Sequence, residues 1–255
     1  MDETPKKYFD YTIEVFVGAG YIFLLCISYM LCIVIYYLSF FQEGPAPTNV
    51  FAASLPPTTP TPHFPLGDRQ GYEKLISDNF IDDRYQWGYQ DDTSKTEVEN
   101  GKLLIQSLKE NTIAIAECQL CAIGDQSYFI QADLSTSLAT DQGFGIVFNR
   151  LKTQNSFFFF EINTEARKYY LYHHVSDNWS LRTSRDSNLI KSFPSINTLG
   201  IFVNGNDVEL YINGEIVDSY TESVRSFQLG GFGFCAGNSG FKLIVDNLII
   251  KTSGK

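Results

Sequence analysis

The stretch Glu209-Leu-Tyr-Ile-Asn-Gly-Glu-Ile-Val217 places the dipeptide Asn213-Gly214 between two short runs of strand-forming residues. Both central positions of a type I′ turn need positive φ, which Asn and Gly adopt more readily than other residues. The stretch therefore predicts a β-hairpin. A second such pair, Asn100-Gly101, precedes an alternating run at residues 102–107 and predicts another turn between antiparallel strands.

Strand signals of this kind continue to the C-terminal end of the sequence. Runs rich in aromatic and β-branched residues, each bounded by Gly, Asn, Asp or Ser, predict strands at residues 102–107, 112–117, 128–134, 144–150, 157–162, 168–173, 199–203, 208–212, 215–220, 231–235 and 242–251. No segment of this region has a sustained helical period. Many short strands without a helix predict an all-β sandwich or jelly roll, which we place at residues 67–255.

The chain is acidic, with a formal net charge of −10 at pH 7. An acidic protein is repelled by nucleic acid and by anionic lipid surfaces. We therefore expect no nucleic-acid partner.

Residues 15–41 form an apolar run without a charged residue. At about 1.5 Å of rise per residue this run would make a helix of about 40 Å, longer than the ~30 Å hydrocarbon core of a bilayer. Aromatic residues lie at both of its ends, where they favour the membrane interface. We expect one transmembrane α-helix that anchors the chain in the lipid bilayer. A cleaved signal peptide is the alternative, but its apolar region is typically only about 7–15 residues long.

Basic residues near this run predict its orientation. Lys6 and Lys7 precede it, and no basic residue follows it until Arg69. Positively charged flanks stay on the cytoplasmic side, so residues 1–14 are predicted to be a cytoplasmic tail. The C-terminal domain is then extracellular or periplasmic. Residues 42–66, rich in Pro and Thr, are predicted to be an extended linker between the two.

Several motifs of the C-terminal region occur in the order that is typical of one superfamily. They lie at residues 78–80 with Trp87 nearby, and at residues 98–103, 143–150, 158–162, 209–217 and 245–250. Together they resemble the concanavalin A-like lectin/glucanase superfamily, in particular the non-catalytic domains, related to laminin G and 3-keto-disaccharide hydrolases, that bacteria attach to membrane or secretion segments. The resemblance implies a jelly-roll sandwich of two antiparallel sheets, one of them concave. In sugar-binding relatives the concave face carries aromatic and polar side chains.

The aromatic run Phe157-Phe-Phe-Phe160 predicts which side chains face outward. Alternate residues of a strand face opposite sides of a sheet, so one pair of rings should enter the core. Phe157 and Phe159 then share the second face with Glu161. A simple hairpin after the preceding strand would bring Arg150 near Phe157 and Ile146 near Glu161.

Further rings nearby, at Tyr170, Tyr172 and Trp179, extend this face. Rings beside charged groups of each sign suit stacking of a sugar and hydrogen bonding to its hydroxyls. The alternative is that the rings pack under a loop or support a wide sheet. Our candidate ligand-binding residues for a glycan or protein ligand are Arg150, Phe157, Phe159, Glu161, Tyr170 and Trp179.

The sequence Glu161-Ile-Asn-Thr-Glu165 is similar to the catalytic strand of glycoside hydrolase family 16, which carries Glu, Asp and Glu on alternate residues. Retaining glycosidases need two carboxyl groups about 5–5.5 Å apart. Here Asn163 replaces the central Asp, and residues 164–167 are predicted to form a turn that removes Glu165 from the strand face. We therefore expect no enzymatic activity.

Candidate metal ligands are few. The resemblance implies a structural calcium ion held by Asp246 together with Asp78, and the alternative is that Asp246 only hydrogen-bonds a turn. Cys118 and Cys121 have the spacing of half a zinc site, but no second pair accompanies them. Outside the cytoplasm a disulfide between two of Cys118, Cys121 and Cys235 is the more natural outcome, although free thiols or a redox pair remain open.

Three functions fit these observations. The first is a single-pass membrane protein whose outer domain binds a glycan or a protein on its concave face. The second is an accessory subunit of a larger membrane complex, in which the slim patch at Gly18, Ala19 and Gly20 packs against other membrane helices. The third, a glycoside hydrolase, is disfavoured by the substitution at Asn163.

Overall fold

The computed structural model describes residues 71–121, 127–223, 227 and 230–253. This part of the chain is all β, apart from one short 3-10 turn at Lys152–Gln154. In these residues no helix is long and apolar enough to cross a membrane. The predicted membrane helix at residues 15–41 and the predicted linker at residues 42–66 lie outside the described residues.

Nine strands form the larger of two antiparallel sheets. Their bounds are β1 Tyr72–Asp78, β2 Tyr89–Gln90, β3 Ser94–Glu99, β4 Lys102–Ser107, β6 Ser127–Thr136, β11 Asn197–Asn204, β12 Asp207–Ile212, β13 Glu215–Thr221 and β15 Leu243–Ser253. The spatial order is β13-β12-β11-β6-β15-β4-β3-β2, and β1 pairs with β15 beside this path. Tyr72 lies opposite Ser253, so the first and last strands of the domain run side by side.

The remaining six strands form the second sheet. They are β5 Ile113–Glu117, β7 Phe144–Leu151, β8 Ser156–Asn163, β9 Lys168–Val175, β10 Asn178–Asp186 and β14 Gly231–Gly237. Their order is β10-β9-β8-β7-β14-β5, with every pair antiparallel. The predicted all-β sandwich of two antiparallel sheets is thus confirmed.

The core lies between the two sheets and contains side chains from both. Ile105 and Leu248 come from the larger sheet, and Phe160 and Phe234 come from the smaller one, all without exposed surface. Burying each such side chain stabilises the fold by about 1.5–3 kcal/mol relative to exposure. The indole of Trp87 joins this core from the connection between β1 and β2 and meets the ring of Phe232 edge to face.

Both predicted Asn-Gly turns are present. Asn213 and Gly214 have φ values of 52° and 91°, and Asn100 and Gly101 have 52° and 71°. Positive φ at both central positions is the signature of the type I′ turn. The β12–β13 hairpin is therefore confirmed. The predicted turn before β4 is also present, and it joins β4 to β3.

All eleven predicted strand segments are present, with ends that differ by a few residues. Four other strands, β1, β2, β3 and β10, were not predicted. The sequences Tyr72–Asp78, Ser94–Glu99 and Asn178–Asp186 carry charged residues at positions where alternation would require apolar ones. Strand β10 lies at a sheet edge and is mostly exposed, so its backbone pairing with β9, rather than a buried apolar face, determines its conformation.

Candidate functional site

The outer face of the six-stranded sheet carries the aromatic residues that the sequence singled out. Phe158 and Phe160 point into the core, whereas Phe157 and Phe159 belong to a separate cluster on the other face. Glu161 lies on that second face too, because alternate residues of β8 share a side. The predicted division of the aromatic run is thus confirmed.

The register between β7 and β8 differs by one residue from the predicted one. Gly145, not Ile146, lies opposite Glu161, and Ile146 lies opposite Phe160 in the core. The cause is an irregularity in the β7–β8 ladder between Phe148 and Leu151. Since a shift of one residue reverses the face of every side chain, this correction places a glycine beside Glu161.

Two glycines, one just before β7 and one within it, leave room for Glu161 and for the backbone of β8. A Cβ atom at Gly143 would overlap the Glu161 carboxyl group, and one at Gly145 would overlap the carbonyl oxygen of Phe160. Gly231 is similarly close to Glu117, since its Cβ would lie 2.7 Å from Oε1. Glycine in a strand often marks a place where another group approaches the backbone closely.

A groove of about 570 Å³ runs over this part of the face. Its volume lies within the range of small-molecule sites, about 300–1,000 Å³. The strands contribute aromatic side chains and Glu161, and the loops contribute mainly amide and hydroxyl groups. The lining residues are Asn111, Thr112, Ile113, Asp141, Gln142, Gly143, Phe159, Glu161, Asn163, Tyr170, Tyr172, Trp179, Gly237 and Asn238.

Two rings of the groove are nearly parallel, and a third is perpendicular to one of them. Tyr170 and Tyr172 stack with centroids 5.6 Å apart and an interplanar angle of 14°. Trp179 meets Tyr172 edge to face, at 5.8 Å and 89°, and its ring lies 6.3 Å from that of Phe159. Trp179 is 45% exposed, so much of its surface is open to a ligand.

Glu161 lines the same groove as these rings. Within the described part of the chain it makes no hydrogen bond and no ion pair. Burial without a partner disfavours the carboxylate, which raises the pKa of Glu161 to about 7. The phenol of Tyr172 is affected as well, because burial and the nearby Glu161 raise the pKa of Tyr172 to about 12. Glu161 thus accepts no hydrogen bond from another group of the described residues.

Arg150 lies on the same face but does not line the groove. Its guanidinium group is 5.5 Å from the centroid of the Phe157 ring, so the predicted proximity of Arg150 to Phe157 is confirmed. The Arg150 Nε atom lies 3.1 Å from Glu117 Oε2, and the Lys152 ammonium lies 3.4 Å from Glu117 Oε1. Glu117 was not identified from the sequence, although its place at the end of an alternating strand puts it on this face.

The two adjacent histidines face opposite sides of the sheet, as alternation requires. His173 stacks on Phe158, with centroids 4.2 Å apart, and His174 stacks on Phe157 at 4.6 Å. The two rings therefore do not meet in one site.

A disulfide bond joins Cys118 and Cys121 directly after β5. The disulfide expectation is confirmed for this pair, and the zinc alternative is wrong because the two sulfurs bond to each other. Cys235 is a buried free cysteine on the second face, and burial raises the pKa of its thiol. Throughout the described ranges no group of three or more His, Cys, Asp or Glu side chains is placed to hold a metal ion.

Asp78 and Asp246, the predicted calcium ligands, each contact protein groups. Asp78 is buried, and its carboxylate accepts hydrogen bonds from the backbone N–H of Phe80 at 2.9 Å and from the Trp87 indole at 3.0 Å. Asp246 is paired with Lys102 on the larger sheet and accepts from the N–H of Asn247. The two carboxylates therefore have separate partners, and the calcium site at Asp246 and Asp78 remains an untested prediction.

The second carboxylate of the hydrolase-like pattern is absent from the sheet face. The strand ends at Asn163, and residues 164–167 form the predicted turn, in which Glu165 is exposed. The groove is lined by Glu161 on the strand and by Asp141 on a loop.

Known structures resemble this architecture. The described domain is similar to a Bacillus subtilis protein of unknown function with a galectin-like fold, at a TM-score of 0.56 and 10% identity over 72% of this chain and 100% of that one. The fold is a galectin-like jelly roll. This finding confirms the concanavalin A-like sandwich predicted from the motifs.

Two glycan-active enzymes share the fold. An endo-acting O-glycanase of the human gut microbiota is 9% identical, with a TM-score of 0.54, over 71% of this chain and all of that one. The endo-β-1,3-glucanase of Pyrococcus furiosus is 12% identical, with a TM-score of 0.51, over 72% of this chain and 96% of that one. No family model and no curated protein matches the sequence.

Proposed function

We propose that this jelly roll is a glycan-binding module and that its ligand lies in the groove on the six-stranded sheet. The observation that carries the proposal is the unpaired Glu161 carboxyl group beside the rings of Tyr170, Tyr172 and Trp179. A partly buried acceptor without a hydrogen-bond partner lowers the stability of the fold. Its presence in a groove therefore supports a ligand that donates to it.

Sugars match this combination of groups. The C–H face of a pyranose stacks on an aromatic ring, and its hydroxyl groups donate to carboxylates and amides. Trp179 offers an exposed ring, Glu161 offers the acceptor, and Asn111, Gln142 and Asn238 bring amide groups from the loops. The likeness in fold to the O-glycanase and the glucanase supports the same ligand class.

We propose binding without hydrolysis. A retaining glycosidase needs two carboxyl groups about 5–5.5 Å apart on the two sides of the scissile bond. On β8 only Glu161 is available, since Asn163 is an amide and Glu165 lies in the turn. The substitution of the central carboxylate therefore supports a non-catalytic role.

We also propose that the module acts outside the cytoplasm, on a single membrane anchor at residues 15–41. The apolar run and the basic residues Lys6 and Lys7 carry this part of the proposal. The Cys118–Cys121 disulfide supports it, because disulfides persist in oxidising compartments.

Substitution of Trp179 tests glycan binding. With the intact chain in detergent, we expect Trp179→Ala to weaken binding of its best ligand from a panel of cello-, laminari- and chito-oligosaccharides by at least about tenfold, which corresponds to about 1.4 kcal/mol of lost contact. Isothermal titration calorimetry measures this change.

The matched control is Phe193→Ala, which removes an exposed ring of similar accessibility, 41% against 45%, outside the groove. It should bind like the unaltered chain. Equal affinity of both variants, or release of reducing sugar from the panel, would contradict the proposal.

A further inference from the structure

The charged groups of the groove are all acidic. Among its described lining residues, Glu161 and Asp141 are carboxylic acids, and Lys, Arg and His do not occur. A site lined by one sign of charge attracts ligands of the opposite sign. A neutral sugar would leave both carboxyl groups without a counter-charge.

Neighbouring cations of the same sheet are engaged elsewhere. The Arg150 guanidinium pairs with Glu117, 3.1 Å away, and Lys152 pairs with the same carboxylate. The Lys168 ammonium lies 5.6 Å from the centroid of Tyr170 and makes no ion pair with Glu161. None of these three cations therefore forms an ion pair with the Glu161 carboxyl group.

The rings of the groove also favour a cation. Aromatic faces carry negative electrostatic potential and attract ammonium groups within about 6 Å of the ring centroid, an effect worth roughly 0.5–2 kcal/mol. The position of Lys168 over Tyr170 is one such contact at the edge of the site. Tyr172 and Trp179, which meet at 89°, form two perpendicular walls, with Glu161 in the same groove. Two perpendicular aromatic rings and a carboxylate are groups that attract an ammonium ion.

We propose that the ligand is a glycan that carries a free, positively charged amino group, as in glucosamine oligomers, and that Glu161 pairs with this group. The inference rests on the proposed function and narrows its ligand class. The ammonium donates to the carboxylate while the sugar ring stacks on Trp179. N-acetylation of the same sugar removes its positive charge. Comparing binding of the two forms therefore tests whether the site recognises the charge of the ligand.

Three hexasaccharides test the inference by isothermal titration calorimetry on the intact chain at pH 7. They are the glucosamine hexamer, the N-acetylglucosamine hexamer and cellohexaose, which share β-1,4 linkage and differ at one substituent. We expect the glucosamine hexamer to bind at least about tenfold more tightly than the other two. Glu161→Gln keeps the size of the side chain and removes its charge, so this preference should fall to less than about threefold.

Glu165→Gln is the matched control, because it removes a carboxylate from the exposed turn that follows the same strand. It should retain the full preference for the glucosamine hexamer. Thermal unfolding of each variant establishes that the domain is folded.

The outcomes separate this inference from the proposed function. Equal or tighter binding of the two neutral hexamers would overturn the amino-group inference and leave glycan binding in place. A preference that survives in Glu161→Gln would overturn the role of Glu161. Failure of every glycan in the wider panel to bind would overturn the proposed function itself.

Discussion

At the scale of single residues, the site depends on one carboxyl group and its surroundings. Glu161 lies among rings, opposite a glycine, and its pKa is raised to about 7 by burial. The fold therefore keeps a polar group that its own partners do not satisfy. Buried polar groups without a protein partner are uncommon in folded domains, and groups with a strongly shifted pKa are frequent at functional sites.

The raised pKa predicts how the stability of the domain depends on pH. Between pH 4.5, the ordinary pKa of a glutamate, and pH 7 the folded state binds more protons at Glu161 than the unfolded state does. The free energy of unfolding should therefore fall as the pH rises through this window, by about 3 kcal/mol at most. Denaturant unfolding of the intact chain at pH 5 and pH 8 measures this loss.

Glu161→Gln should lose this part of the pH dependence, because the amide does not titrate. Glu165→Gln removes an exposed carboxyl group and should keep the slope of the unaltered chain. If the stability of Glu161→Gln has the same pH dependence as that of the unaltered chain, burial does not raise the pKa of Glu161.

Sequence reasoning located the site residues unevenly. Alternation along β8 was sufficient to place Phe157, Phe159 and Glu161 on one face. It did not place Ile146 correctly, because the irregularity in the β7–β8 ladder shifts the register and cannot be predicted from the local sequence pattern. It also missed Glu117, whose partner Arg150 is far from it in sequence and meets it only through the sheet order.

At the scale of strands, glycines of β7 and β14 allow close contact with the neighbouring strands of the six-stranded sheet. A Cβ at Gly145 would overlap the carbonyl oxygen of Phe160, and one at Gly233 would overlap that of Ala116. Both obstacles are backbone atoms of a neighbouring strand, so a rotamer change cannot relieve them. The close approach of these strands therefore requires glycine at both positions.

Gly145→Ala is expected to lower the free energy of unfolding by at least about 2 kcal/mol, since the backbone must move to accept one methyl group. Gly88→Ala is the control, because the atom nearest its Cβ, at 3.0 Å, is the exposed end of the Asp83 side chain. That variant should change the free energy by less than about 1 kcal/mol. A Gly145→Ala protein as stable as the control would contradict the described packing.

The strands that the sequence failed to predict share a physical reason. Strands β1, β3 and β10 have many charged residues, so their alternation of apolar and polar positions is weak. Their conformation comes from hydrogen bonding to a strand that is itself well packed, such as β15 for β1. Central strands are predictable because burial determines their residues, and edge strands are less so.

At the scale of the whole molecule, the proposed arrangement separates an anchor from a binding module. Two sheets pack their apolar faces together, and the groove lies on the outer face of one of them. Order of motifs was enough to predict this architecture, because each motif marks a strand or turn of the jelly roll. The ligand was not predictable at the same level, since one fold serves many functions.

The proposed orientation predicts the behaviour of reporter fusions in a bacterial host. Alkaline phosphatase joined after Lys255 should be active, because this enzyme forms its disulfides only outside the cytoplasm. A fluorescent reporter that matures only in the cytoplasm should stay dark at the same position. Replacing Lys6 and Lys7 with Glu should reduce the phosphatase activity severalfold, since it removes the basic flank.

A fusion without residues 1–41 serves as the control and should reverse both signals. Phosphatase activity that is independent of residues 1–41 would contradict a single anchor in this segment. A bright fluorescent fusion of the complete chain would contradict the orientation.

The pairing of Tyr72 with Ser253 has a mechanical consequence. Since both ends of the described domain leave from neighbouring strands of the nine-stranded sheet, a pull applied at either end loads that sheet first. The groove lies on the other sheet, so a load applied there reaches these strands only through the packed core between the sheets. If the module is anchored at one end and holds a glycan in the groove, as proposed, the same tension must cross the packed contact between the two sheets.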